Sequence, residues 1–265
     1  MHVNDSFARR LRLRRLYRHD PGGLLVVPLD HAIGSGAPAG RGDLDALVAQ
    51  LAENGADAVV LHKGAVRRVR ARRFHQLSLI LQLNAATSLA ADPDAKYPVA
   101  TVAEALRLGA DAVSVHVNAA SLTEDRQIAH LARVAGSCDR WGIPLLAMMY
   151  VRGPQIADRT APALVAHALA IAAELGADLV KTALPACGPD ITALTAGCPV
   201  PVLAAGGEVG AGAEPATVLG RLAAAVRAGA GGIAAGRLVF TADDPGAMVR
   251  RLAALIHGRT PVAVR

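Results

Sequence analysis

Short apolar runs alternate with helix-like stretches along almost the whole chain. Nearly every position within each run is apolar, which is typical of parallel strands covered on both faces, whereas half-buried strands alternate apolar and polar residues. The eight runs are residues 24–29, 58–61, 77–81, 112–115, 144–149, 179–182, 200–204 and 232–235. Eight strand–helix units in 265 residues predict an α/β fold, a single closed (β/α)8 TIM barrel, rather than an open doubly wound sheet.

A repeated phrase marks the helix-to-strand junctions. Gly-Ala-Asp occurs at residues 55–57, 109–111 and 176–178, and Gly-Ala-Gly occurs at 229–231. Glycine suits the position where a helix ends in a left-handed conformation, so each phrase predicts the end of a helix and the start of a buried strand. No linker or change in composition divides the chain, and we expect one barrel domain over residues 1–265, with a basic helix at 1–20.

Composition narrows the cellular setting. The three cysteines, Cys138, Cys187 and Cys198, have no Cys-x-x-Cys spacing, which argues against a disulfide framework and a cysteine-based zinc site. Neither a signal peptide nor an apolar run of membrane-spanning length is recognisable. We therefore expect a cytoplasmic protein with no membrane partner.

The net charge of +6 is concentrated at the N-terminus, where six arginines lie within ten residues. They are Arg9, Arg10, Arg12, Arg14, Arg15 and Arg18. Such a cluster could bind nucleic acid phosphates, or it could form a solvated helix at the barrel base or at a subunit interface. Because Phe, Trp and Tyr make up only 3% of the chain, stacking platforms for bases are scarce and we expect no nucleic acid partner.

Catalytic groups in TIM barrels lie at the C-terminal ends of the strands. Lys181, in the sixth run, is one of only three lysines among 28 basic residues. Burial and a neighbouring cation would lower its pKa, and the neutral amine could attack a carbonyl group to form a Schiff base. Arginine cannot do this because its guanidinium stays protonated. The alternative is a structural lysine, ion-paired with a residue such as Asp30.

Two further strand ends carry groups that can transfer protons. Asp30 follows the first strand and Tyr150 ends the fifth. Either side chain could move protons to and from the reacting hydroxyl and carbon of an imine. The alternatives are an aspartate that caps the next turn and a tyrosine hydroxyl bound to the backbone.

The last two strand ends carry glycines where TIM barrels commonly bind phosphate. Gly206 and Gly207 follow the seventh strand, and Gly236 and Arg237 follow the eighth. Their backbone N–H groups and the guanidinium predict a site for a phosphorylated substrate.

Four other residues are expected to line the same barrel mouth and contact substrate. They are His31, Lys63, His116 and Arg152. A metal site built from the histidines remains an alternative, but neither a His-x-His nor a His-Glu-x-x-His motif occurs. We therefore expect no metal.

Taken jointly, the motifs resemble the class I aldolases of the DeoC/LacD and archaeal fructose-bisphosphate aldolase group. Within it they are most similar to the 2-amino-3,7-dideoxy-D-threo-hept-6-ulosonate synthase branch. The resemblance rests on residues 28–31 (Pro-Leu-Asp-His), 150–154 (Tyr-Val-Arg-Gly-Pro), 180–182 (Val-Lys-Thr) and 236–237 (Gly-Arg).

The resemblance implies that Lys181 forms the Schiff base, that Asp30 and Tyr150 transfer protons, and that the glycines with Arg237 bind phosphate. It also implies a cofactor-free condensation with L-aspartate semialdehyde, in a homo-oligomer that could be a decamer. The phosphorylated ketose donor is dihydroxyacetone phosphate or a 6-deoxy-5-ketofructose phosphate. A bacterial variant of the branch uses dihydroxyacetone phosphate as donor. Fructose-bisphosphate cleavage, a metal-dependent barrel enzyme and a basic nucleic-acid-binding barrel are the alternatives.

Overall fold

Eight parallel strands close into a barrel, which confirms the predicted fold. The computed structural model describes residues 6–19, 22–36, 42–207 and 214–257. The barrel strands are β1 (Leu24–Pro28), β2 (Ala58–Leu61), β3 (Ser78–Gln82), β4 (Ala112–Ala119), β5 (Leu145–Val151), β6 (Leu179–Thr182), β7 (Val202–Ala205) and β8 (Gly232–Ala234). Each strand pairs with its neighbours in the chain, and β8 pairs with β1 to close the barrel.

Helices surround the outside of the barrel. They are α1 (Phe7–Leu16), α2 (His31–Ser35), α3 (Leu44–Glu53), α4 (Lys63–Val66), α5 (Val102–Arg107), α6 (Glu124–Trp141), α7 (Pro162–Glu174), α8 (Gly188–Gly197), α9 (Pro215–Arg227), α10 (Arg237–Phe240) and α11 (Pro245–Ile256), with a 3-10 turn at Ala71–His75. No helix in the described ranges is long and apolar enough to cross a membrane.

Each predicted run corresponds to one barrel strand, but β4 extends four residues past the predicted end at 115. The extension pairs with β5 as far as Ala119 opposite Val151. Polar residues, including His116 and Asn118, alternate with apolar ones in this part of the strand. Continuous apolar character therefore predicts the end of β4 too early in the chain.

The barrel interior is packed with apolar side chains from alternating strand positions. These side chains are Leu24, Val26, Ala58, Val60, Ile80, Ala112, Leu146, Met148, Leu179, Leu203 and Ala234. Leu16 of α1 joins this interior cluster, and it is fully buried. The basic N-terminal helix therefore lies across the base of the barrel and closes it.

Several arginines of α1 bind groups of the barrel. Arg9 pairs with Asp178, Arg15 pairs with Asp111, and the Arg12 side chain donates to the Gly142 carbonyl at 2.9 Å. The helix is shorter than the predicted 1–20, since residues 17–19 form a turn and bend. Residues 1–5 and 20 lie outside the described part of the chain.

The glycines of the repeated phrase adopt the predicted left-handed conformation. Their φ angles are 94° at Gly55, 77° at Gly109, 92° at Gly176 and 103° at Gly229. A side chain in this region would be strained, so glycine allows each helix to end and the chain to turn directly into the next strand.

A small antiparallel ladder lies beyond the C-terminal end of β3. Asn84–Ala85 pairs with Tyr97–Pro98, so the chain between them forms a loop that returns to the barrel rim. The ladder brings Lys96, next to Tyr97, to the end of the barrel where the strands terminate.

Candidate active site

A pocket of about 610 Å³ opens at the C-terminal ends of the strands. All eight strands, or the loops that follow them, contribute residues to its lining. Together with several small apolar side chains, the pocket is lined by Asp30, His31, His62, Gln82, Asn84, Lys96, His116, Met148, Tyr150, Arg152, Arg159, Thr160, Lys181, Gly206, Gly207, Gly236 and Arg237. The structure thus brings together every predicted catalytic residue and all but one of the predicted binding residues.

Lys181 lies on β6 inside the barrel wall and reaches the pocket. Met148 of β5 and Leu203 of β7 are its partners in register, and only 8% of the residue is exposed. Across the described residues, Lys181 has no carboxylate within ion-pair distance, and Asp30 Oδ1 instead faces His31 Nδ1 at 3.6 Å. The structure therefore does not show the alternative of a lysine ion-paired with Asp30.

Tyr150 lies on β5, two residues beyond the strand partner of Lys181. Side chains alternate along a strand, so Met148 and Tyr150 share the face that lines the pocket. The Tyr150 ring packs 4.9 Å from the His116 ring, and the Arg152 guanidinium carbon lies 5.3 Å from its centre. In the part of the chain that the structure describes, the tyrosine hydroxyl is not bound to a backbone group.

Asp30 follows β1 at the position that precedes α2. Its side chain makes no capping hydrogen bond to that helix. Because the carboxylate lines the pocket instead, it is free to face a substrate. The alternative of an aspartate that caps the next turn is therefore not what the geometry shows.

His116 is held by hydrogen bonds on its ring and its backbone. Its Nε2 lies 2.9 Å from Asn118 Oδ1, and its backbone N–H donates to Asn84 Oδ1 at 2.8 Å. Burial holds the pKa of His116 well below its usual range, and the nearby Lys96 lowers it further. The imidazole is therefore neutral at physiological pH.

His31 follows β1 and His62 follows β2, and both are neutral for the same main reason. Burial lowers the pKa of each histidine, although the Asp30 carboxylate acts in the opposite direction on both. The three neutral rings give the pocket polar groups without adding positive charge beside Lys181.

The glycine loops after β7 and β8 lie next to each other. Arg237 donates from Nη2 to the Gly207 carbonyl at 3.3 Å. A Cβ on Gly206 would come within 2.8 Å of the Ala235 side chain, and one on Gly236 would come within 2.3 Å of the Pro28 carbonyl oxygen. Close backbone packing therefore requires glycine at both positions, and it leaves backbone open to the pocket.

The structure corrects the prediction for Lys63. Its Nζ pairs with Glu104 at 2.9 Å, its side chain is half exposed, and it does not line the pocket. Glu104 also completes the capping box at the start of α5, where it accepts from the Thr101 backbone. Lys63 therefore joins α4 to α5 on the outside of the barrel.

Sequence reasoning missed Lys96, Gln82 and Asn84 in the pocket. The Gln82 side chain donates to Asn84 Oδ1 at 2.9 Å and accepts from the Ser114 hydroxyl, so a buried amide network forms one wall. The scarcity of lysine, which singled out Lys181, also applies to Lys96, because the chain has only three lysines. Nothing in the sequence marked Gln82 and Asn84.

One group of potential metal ligands occurs among the described residues, and it lies at the opposite end of the barrel from the pocket. It consists of His19, Asp57 and His257. Asp57 accepts from the Leu25 backbone N–H and lies within 2.7–2.9 Å of the two imidazoles. These contacts join His19, before β1, and His257, after α11, to the start of β1.

A family model described as "DeoC/LacD family aldolase" matches residues 24–242. The match covers most of the chain, including every pocket residue named above. The chain therefore belongs to the DeoC/LacD family of aldolases, and it is a class I aldolase.

Two curated relatives match nearly the full length. The chain is 51% identical over 257 residues to a 2-amino-4,5-dihydroxy-6-oxo-7-(phosphonooxy)heptanoate synthase of Streptomyces griseus, covering 97% of this chain and 93% of that protein. It is 39% identical to a 2-amino-3,7-dideoxy-D-threo-hept-6-ulosonate synthase of Halobacterium salinarum, covering 93% of this chain and 90% of that protein.

A solved structure shares both the fold and part of the sequence. It is an archaeal fructose-1,6-bisphosphate aldolase whose catalytic lysine is covalently bound to the carbinolamine intermediate of its substrate. The TM-score is 0.81 at 29% identity, covering 93% of this chain and 100% of that one.

Proposed function

We propose that this enzyme joins dihydroxyacetone phosphate to L-aspartate semialdehyde through a Schiff base on Lys181. The observation that carries the proposal is the buried Lys181 amine, which faces the pocket without a carboxylate partner among the described residues. The Streptomyces griseus relative supports the choice of substrates.

The chemistry of that relative's named product identifies the substrates. The product carries a ketone at C6, a hydroxyl at C4 and a phosphate ester at C7. An aldol reaction forms the bond between the carbon next to the ketone and the hydroxyl-bearing carbon, which is C4–C5. Breaking that bond gives dihydroxyacetone phosphate and L-aspartate semialdehyde.

The proposed reaction begins when the Lys181 amine attacks the ketone carbon of the donor. Loss of water from the carbinolamine gives an iminium, which withdraws electrons from the adjacent carbon. Removal of a proton from that carbon gives an enamine, which attacks the aldehyde carbon. Water then hydrolyses the product iminium and releases the lysine.

Proton transfers in these steps are assigned to Tyr150 and Asp30, which line the pocket with Lys181. The donor phosphate is assigned to the loops that carry Gly206, Gly207, Gly236 and Arg237. Arg237 can make charge-assisted hydrogen bonds to it. The iminium itself accepts the electrons, so this chemistry asks for neither a metal nor an organic cofactor.

Borohydride trapping tests the proposal directly. Reduction in the presence of dihydroxyacetone phosphate should fix the donor on Lys181, which peptide mass spectrometry would locate. Lys181→Arg should lose both the adduct and turnover, while Lys63→Arg on the barrel exterior should keep both. Normal turnover in Lys181→Arg, or an adduct on another residue, would reject the mechanism.

Substrate assays separate the remaining alternatives. A fructose-bisphosphate aldolase would cleave that sugar at a rate comparable with the condensation, whereas we expect condensation to dominate. A metal-dependent barrel enzyme would lose activity in EDTA, and a nucleic-acid-binding barrel would be retained on DNA with a steep salt dependence.

We also infer a cytoplasmic homo-oligomer, as large as a decamer. Phe7 at the start of α1 and Trp141 at the end of α6 are 73% and 53% exposed. The backbone of Gly142, next to Trp141, packs against Ser6 and Ala8, which flank Phe7. Exposed apolar side chains that lie close together in this way are typical of subunit contacts. Light scattering coupled to size-exclusion chromatography measures the assembly, and a monomer at micromolar concentration would contradict it.

A further inference from the structure

Lys96 is held at the pocket rim by structure on both sides of it in the chain. Tyr97, the next residue, pairs with Ala85 in the two-residue ladder. The Asp94 carbonyl, two residues earlier, accepts from the Asn118 side chain at 2.8 Å and from the Gln127 side chain at 2.9 Å. The loop therefore presents Lys96 in a defined place.

Lys96 forms no ion pair with a carboxylate among the described residues. Lys63, in contrast, has a carboxylate oxygen at 2.9 Å. Burial lowers the pKa of Lys96, and the neighbouring Arg152 lowers it further, while Asp94, Asp30 and Asp92 act in the opposite direction. Lys96 and Arg152 thus place two cations in one wall of the pocket, and a bound anion would stabilise this arrangement.

This wall lies on the other side of Lys181 from the glycine loops. The strand order places β6, which carries Lys181, between β5 and β7. Arg152 directly follows β5 and lies on the same face as Met148 and Tyr150. It is four residues beyond Met148, which corresponds to roughly 13 Å further out along the strand direction. The glycine loops follow β7 and β8. Lys181 therefore lies between two sites suited to anions.

Each proposed substrate carries one anionic group, a phosphate ester on the donor and a carboxylate on the aldehyde, and the new carbon–carbon bond forms between them. If the donor phosphate lies at the glycine loops, the β5 side of Lys181 offers the cations for the acceptor. The negative group of the acceptor is then its carboxylate. We propose that Lys96, together with Arg152, binds the carboxylate of the aldehyde substrate. This inference rests on the proposed function and adds the site that recognises the carboxylate of the acceptor.

Three aldehydes of similar length test the site. L-aspartate semialdehyde and succinic semialdehyde carry the carboxylate, and the second lacks the amino group, whereas butanal lacks both. Lys96→Met should lower kcat/KM about 10- to 100-fold for the two carboxylated aldehydes, the value of one charge-assisted hydrogen bond. It should change kcat/KM for butanal less than about two-fold, and Lys96→Arg should recover much of the loss.

Two controls separate this inference from the mechanism. Lys63→Met removes the other non-catalytic lysine and should leave kcat/KM unchanged for all three aldehydes. Borohydride trapping of dihydroxyacetone phosphate on Lys181 should be as efficient in Lys96→Met as in the unmodified enzyme. Loss of trapping in the unmodified enzyme would overturn the proposed function.

Binding measurements give a readout that does not depend on turnover. Titration calorimetry with 4-hydroxybutyrate, which carries the same carboxylate, should show weaker binding to Lys96→Met than to Lys63→Met. Equal binding, or an equal loss of kcat/KM for butanal and succinic semialdehyde, would overturn the assignment. Activity with glyceraldehyde 3-phosphate that exceeds activity with L-aspartate semialdehyde and depends on Lys96 would instead identify a phosphate site.

Discussion

Asp178 accepts a hydrogen bond from the Arg9 guanidinium at 3.1 Å, although the two residues are 169 positions apart. The other carboxylate oxygen accepts from the backbone N–H of Leu145, the first residue of β5, at 2.8 Å. Asp111 repeats the arrangement with Arg15 and with the Leu79 backbone of β3. The aspartate of the Gly-Ala-Asp phrase therefore fixes a neighbouring strand and also anchors the basic helix across the barrel base.

Asp57, the first aspartate of this repeat, should contribute most to stability. It is fully buried, and the Leu25 backbone, His19 and His257 all contact its carboxylate. Asp57→Asn would replace one acceptor oxygen with a donor and leave buried groups unsatisfied, so we expect a loss of about 2–4 kcal/mol in the free energy of unfolding. Denaturant titration measures this loss.

The control for that measurement is Asp139→Asn. Asp139 is also near Arg9, but at 3.9 Å and with 47% of its side chain exposed. An exposed pair of this kind contributes little, and we expect a change below about 0.5 kcal/mol. Equal effects of the two substitutions would contradict the role assigned to the repeat.

The repeat shows how far the sequence predicts this fold. The glycine positions and the start of each strand follow from local backbone preferences, which adjacent residues reveal. The partners of the aspartates do not, because Arg9 and Arg15 come from a helix far away in the chain. Only the closed barrel places that helix beside the strand starts.

The same distinction applies to the pocket. Lys181, Tyr150 and Asp30 could be predicted because each lies within two residues of the C-terminal end of a strand. The barrel brings those strand ends together at one face. Lys63 also follows a strand, but α4 begins there and carries it outward to Glu104. Lys96 follows no barrel strand, and its place depends on the path of a loop that periodicity does not determine.

Tyr150→Phe should separate proton transfer from Schiff-base formation. The substitution removes only the hydroxyl and keeps the ring between His116 and Arg152. Loss of a general acid–base group lowers kcat by about 100- to 10,000-fold, while borohydride should still trap the donor on Lys181. Steady-state kinetics and mass spectrometry of the trapped enzyme measure the two effects.

Tyr97→Phe is the matched control, because Tyr97 is exposed and does not line the pocket. Its kcat should match that of the unmodified enzyme. If Tyr150→Phe retained full kcat, a different group would have to transfer the proton.

Arg237→Ala should weaken binding of the donor alone. The guanidinium lines the pocket beside Gly207 and is proposed to bind the phosphate ester. Removing a charge-assisted hydrogen bond predicts a rise of about 10- to 100-fold in KM for dihydroxyacetone phosphate. The KM for L-aspartate semialdehyde should change less than about two-fold.

Arg250→Ala provides the comparison, since Arg250 contacts Asn54 on the barrel exterior. Both KM values should be unchanged in that variant. A similar rise in both KM values for Arg237→Ala would remove Arg237 from the phosphate site.

Stability should fall as the pH falls from about 7 to 5, because His116, His31 and His62 have lowered pKa values in the folded protein. Near and below pH 6.5, the ordinary histidine pKa, the unfolded chain binds protons that the folded protein does not bind. The unfolded state is therefore favoured progressively until the pH reaches the lowered values. Each full unit by which one pKa is lowered corresponds to about 1.4 kcal/mol.

Carboxylates contribute at lower pH. Hydrogen bonds from Arg73 and Arg70 lower the pKa of Asp45, so its contribution is present above its ordinary pKa of 3.8 and is lost as the pH falls below that value. A comparison of pH 7 with pH 5 thus mainly reports the histidines.

His116→Gln makes the assignment specific. Glutamine can keep a hydrogen bond to Asn118 but does not titrate, so the difference in unfolding free energy between pH 7 and pH 5 should shrink. His167→Gln, at an exposed position on α7, should leave the difference unchanged. Should His116→Gln and the unmodified enzyme lose equal stability over this range, the buried imidazole of His116 would not be the group that resists protonation.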